Sequence, residues 1–60
     1  MSNSTITVGS QVIYTPNGES GYVKSFNKKF IFVVFSTNAT KDNFTNFTAA
    51  GCRWEDIQEA

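Results

Sequence analysis

From Val8 onward, apolar and polar positions alternate at short period and are punctuated by turn residues. "QVIYT" (11–15) is predicted to be a strand, with Val12 and Tyr14 sharing a face. "PNGESG" (16–21) interrupts it: Pro16 fixes φ, Asn17-Gly18 tolerates a positive φ, and Gly21 ends the connection. "GYVKSF" (21–26) reads as a second strand with Val23 inward and Lys24 outward. "NKK" (27–29) then forms a tight turn into "FIFVVF" (30–35). That run of β-branched and aromatic residues has no helix cap ahead of it and is the strongest strand signal in the chain.

"STNATKDN" (36–43) has no apolar periodicity and is expected to be a surface loop. "FTNFTAAG" (44–51) is predicted as a fourth strand centred on 47–50, with Phe44 and Phe47 facing opposite sides. One of the two would then enter the core and the other would join the exposed aromatic surface. "CRWED" (52–56) predicts a 3-10 turn, and "DIQEA" (56–60) a last short strand with Ile57 inward. Residues 1–7 read as a flexible tail and 8–60 as the folded domain. Five short strands with turn signals about every ten residues point to an all-β fold, a single small barrel with a 3-10 turn before its last strand.

The segments "VGSQVIYTPNGESGYVKS", "KFIFVVF" and "NFTAAGCRWEDI" together resemble a five-stranded SH3-like barrel of the KOW- and Tudor-like kind, as found in small phage- and prophage-encoded proteins. The resemblance covers residues 8–58 and rests on glycine turns and apolar strands. It implies a fold more than a mechanism, since these small phage proteins have largely unassigned functions. The chain departs from Tudor domains in lacking a cage of four aromatics.

Composition narrows the function classes. The chain has 60 residues, nine of them aromatic, and its five basic and five acidic side chains cancel. A neutral total disfavours a general polyanion binder. The charges are nonetheless segregated. Lys24, Lys28, Lys29 and Lys41 give residues 21–41 a charge of +4, whereas residues 42–60 carry −3 (Asp42, Glu55, Asp56 and Glu59 against Arg53). Cys52 is the sole cysteine and there is no histidine, which removes a disulfide, a zinc site built on those residues, and the usual base for a nucleophile. Neither the Glu55-Asp56 pair nor "GESG" has the pattern of an acid–base couple or a phosphate loop. The expectation is therefore a non-enzymatic protein without cofactor or metal. The polar start lacks a signal-peptide pattern and no apolar run could span a membrane, so a cytoplasmic location is expected, that of the host cell if the protein is phage-encoded. Three N-x-[ST] sequences between Asn38 and Thr48 are then read as unglycosylated.

Two partner readings remain. Alternation along "FIFVVF" puts Phe30, Phe32 and Val34 on the face opposite Ile31, Val33 and Phe35. A small barrel has one interior, so an outward stripe of Phe30, Phe32 and Val34 is expected either to contact a protein partner or a second copy, or to be covered by the N-terminal residues or the 36–46 loop, with Trp54 as a further anchor or a plug of the barrel end. The alternative is a nucleic-acid-binding accessory protein that uses Tyr22, Lys24, Lys28 and Lys29 for stacking and phosphate contacts.

Overall fold

A computed structural model describes residues 6–60 of the chain. Five antiparallel strands, β1 (Gln11–Tyr14), β2 (Glu19–Phe26), β3 (Phe30–Val34), β4 (Ala50–Arg53) and β5 (Ile57–Glu59), form one sheet in the order β4-β3-β2-β1-β5. Two 3-10 turns complete it, Phe44–Asn46 ahead of β4 and Trp54–Asp56 between β4 and β5. The all-β class, the five strands and the 3-10 turn before the last strand agree with the sequence reading. No helix among the described residues is long and apolar enough to cross a membrane.

Each turn has a local cause. After β1, the Gly18 N–H donates to the Tyr14 carbonyl (2.8 Å), and the Asn17 side-chain oxygen accepts the Glu19 N–H (2.9 Å). Gly18 stands at φ +74°, where a glycine costs nothing. After β2, the Asn27 side-chain oxygen accepts the backbone N–H groups of both Lys29 and Phe30 at 2.8 Å, while the Asn27 N–H donates to the Phe30 carbonyl. This Asx arrangement folds "NKK" into a hairpin.

The main core gathers Ile6, Val12, Val23, Ile31, Val33, Cys52 and Ile57, with Tyr14, Phe35 and Trp54 packed against it. Fully burying each aliphatic member contributes about 1.5–3 kcal/mol relative to exposure. Residues 1–5 of the expected tail lie outside the described residues. Ile6, also assigned to that tail, instead belongs to the core at 4% exposure. Thr7 is tied to the next turn through its N–H to Ser10 Oγ (3.0 Å).

Strict alternation fails at one place. Val23 pairs with Val33, but Ser25 pairs with Phe32 and Phe26 with Ile31, so Lys24 is an extra residue in β2. Directly opposed residues share a face. The bulge therefore leaves Lys24 and Ser25 on the outer face with Phe32 and brings Phe26 to the core side, beside Ile31.

The predicted fourth strand starts too early. Phe44–Asn46 is a 3-10 turn and pairing resumes only at Ala50. Thr and Asn side chains offer the backbone a local alternative to a ladder. Here Asn43 Oδ1 accepts the Thr40 N–H (2.6 Å), and the Phe44 N–H donates to the Thr40 carbonyl (2.9 Å). The coiled segment lies across the outer face of β2. Phe44 is buried there, its ring stacked on Tyr22 with centroids 5.9 Å apart. Of the two phenylalanines, Phe44 is the buried one and Phe47 stays half-buried, but neither lies in a strand.

Candidate interaction surface

The aromatic stripe expected along β3 is interrupted. Val34 has 0% exposure and cannot meet a partner; it sits opposite Tyr22, on the face that the 36–48 segment crosses. Phe32 is half-buried and lies over Gly51, where a β-carbon in place of the glycine hydrogen would come within 3.3 Å of its ring. Phe30 alone of the three is open, at 44%.

The stacking and phosphate set is divided as well. Tyr22 presents one ring face to Phe44, and the Lys24 ammonium donates to the Phe47 carbonyl at 2.7 Å. Tyr22 is also set back along β2 from Lys28 and Lys29, four residues from Phe26, about 13 Å along an extended strand. Lys28 and Lys29 stand at the hairpin tip, exposed. Among the described residues the one ion pair is Arg53–Glu55 (3.5 Å), and it is well exposed, so it adds little stability.

The open surface that the fold does assemble surrounds the β2–β3 turn. Phe26 is 43% exposed. Its ring meets Trp54 edge to face, with centroids 5.6 Å apart and planes at 74°. The Trp54 indole N–H donates to the Asn27 backbone carbonyl at 2.7 Å. Trp54 thus covers the end of the core with one part of its ring system and walls a shallow depression with another. That depression, about 530 Å³, is lined by Phe26, Asn27, Lys28 and Trp54, and its walls are mainly apolar. Phe30 flanks the same turn on the outer side, opposite Arg53 in the register.

Trp54 and Lys28 are legible as candidates from sequence; Phe26 and Asn27 are not among them. Asn27 ahead of two lysines carries an Asx-turn signal that a reading of turn chemistry can find. Phe26 carries no such signal, because its side is set by the bulge.

Cys52 is buried against the core face opposite Ile31. Burial and then the nearby Asp56 carboxylate push its thiol above the ordinary value of 9.0, the opposite of what an activated nucleophile needs. Compared with known protein families, curated proteins and solved structures, the chain matches none.

Proposed function

We propose that this is a non-enzymatic protein-interaction module whose contact surface is the β2–β3 hairpin tip, built from Phe26, Phe30 and Trp54 with Lys28 at the rim. One observation carries the reading: of the three large apolar side chains that stand exposed among the described residues, Val8, Phe26 and Phe30, two flank one three-residue turn and one of them packs on the sole tryptophan. A cluster of exposed aromatics around a concave site is typical of binding surfaces. The raised Cys52 thiol supports the non-enzymatic part. The resemblance to small phage-encoded SH3-like barrels supports a place among cytoplasmic accessory proteins, with self-association as one form of the contact.

The nucleic-acid reading contracts to Lys28 and Lys29 beside Phe26 and Trp54, since Tyr22 and Lys24 have partners within the fold. Two cations are few for tracking a phosphate backbone. Light scattering together with fluorescence anisotropy of single-stranded oligonucleotides at two salt concentrations tests the proposal. The expected result is no oligonucleotide binding at either salt, with any self-association lost in Phe30→Asp. A monomer that binds oligonucleotide in a salt-sensitive way overturns it.

A further inference from the structure

We infer that the depression at the hairpin tip takes an aliphatic side chain of an acidic peptide segment, whose carboxylates reach Lys28 and Lys29; the inference rests on the reading of this surface as a protein-contact site. The walls are two aromatic rings set at 74°, a cleft suited to an apolar side chain. The polar groups around it are one-sided. Asn27 Oδ1 already accepts two backbone N–H bonds, and the Asn27 carbonyl accepts the indole N–H. That double acceptance also fixes which carboxamide atom is the oxygen, so the Asn27 amide nitrogen is the atom left to face solvent. What the rim offers a ligand is therefore donors, the Asn27 amide and the Lys28 ammonium, with Lys29 next along the turn. Among the described residues neither lysine has an acidic partner, and Glu55, the acid following Trp54, is held by Arg53. A ligand that completes this rim brings acceptors and negative charge.

Two other occupants fit less well. A single-stranded nucleic acid needs a succession of stacking platforms and cations, and the tip supplies one cleft and two lysines. An anionic membrane would be met by apolar groups leading and cations behind them. Here the order is reversed, since Lys28 and Lys29 occupy the crest of the turn and Phe26 and Phe30 its base.

Trp54, the only tryptophan, reports on the site through its emission and through its single indole N–H resonance, which registers even millimolar binding. The probes are short peptides carrying leucine between glutamates, the same peptide with glutamines, and one with serine in place of leucine. The expected outcome is a saturable shift with the glutamate–leucine peptide that weakens at least about fivefold with glutamine, or with K28E/K29E, and disappears with serine. Both lysines are exposed, so that variant is expected to fold, which circular dichroism confirms; Phe26→Ser provides an independent loss of the apolar wall. Equal binding of the glutamine peptide overturns the acidic assignment and leaves the contact surface standing. So does a dimer lost on Phe30→Asp, with no response to any peptide. A Trp54 response only to an oligonucleotide or an anionic phosphatidylserine vesicle overturns both the inference and the reading beneath it.

Discussion

The indole N–H of Trp54 donates to the backbone carbonyl of Asn27, 2.7 Å away, and so joins the turn before β5 to the turn after β2. The two residues are 27 apart in sequence. Through this bond the wall of the depression and the turn that carries its lysines hold a fixed relation. Trp54→Phe keeps an aromatic ring and removes the donor, and is expected to cost about 1 kcal/mol in urea unfolding. Asn27→Ala also releases the two N–H groups that its side chain holds, and is expected to cost more, about 1–2 kcal/mol. If Asn27→Ala proves as stable as the parent, the side chain does not organise the hairpin.

Gly21 and Gly51 give opposite expectations for the same substitution. A Cβ at Gly21 would run into the Val34 carbonyl oxygen and stand 2.7 Å from Val33 Cγ1, and neither is the free end of a flexible chain. Gly21→Ala is expected to lower stability by roughly 3 kcal/mol or to prevent folding. At Gly51 the nearest atom is Phe32 Cε1 at 3.3 Å, on a half-buried ring with room to tilt outward. Gly51→Ala should change stability by less than about 1 kcal/mol. Thermal melts of the two variants check the contrast.

The segment across the outer face is held by Phe44 packing and by the Lys24–Phe47 hydrogen bond. Phe44→Ala is expected to cost about 2–4 kcal/mol and to speed amide exchange at Val34. Lys24→Met keeps the aliphatic stem and drops the ammonium; a loss near ~1 kcal/mol is expected. Unchanged exchange at Val34 in Phe44→Ala would show that another group covers that face.

The Cys52 thiol gives a pH signature. Its folded-state pKa is raised, by burial first and then by Asp56, so the folded protein keeps a proton that the unfolded chain releases. The stability linked to this group is therefore complete below the unfolded pKa and is lost as the pH climbs through 9.0 and on toward the folded value. Urea midpoints measured from about pH 7 to 10 should fall more steeply in the parent than in Cys52→Ala. Parallel curves would mean that the thiol is not desolvated by folding.

Most of the architecture is legible because short strands with one inward face declare themselves by alternation. Val12, Val23, Ile31 and Ile57 can each be inferred from two or three neighbours, and turn chemistry at Asn17-Gly18 places the first hairpin. What the local pattern leaves open is non-local. The covering of Val34 depends on Phe44 crossing from ten residues away, and the tandem "NFT" looks strand-like until Asn43 and Thr40 bond the chain between them into a turn. Trp54, readable from sequence as either a plug or a contact anchor, both covers the core end and walls the depression. Its partner Phe26 escapes a sequence reading for a reason no hydropathy pattern records.

That reason is the extra residue in β2. Lys24 puts the strand out of phase by one, so every side chain between it and the tip exchanges sides relative to an uninterrupted ladder. A lineage could gain or lose this one codon with the cleft intact, because the bulge absorbs the extra residue and leaves Phe26 opposite Ile31. Deleting Lys24 would restore strict alternation and still leave Ser25 opposite Phe32 and Phe26 opposite Ile31, on the core side. For this hairpin, cross-strand pairing, and not the count of residues along the strand, governs which side chains meet at the surface.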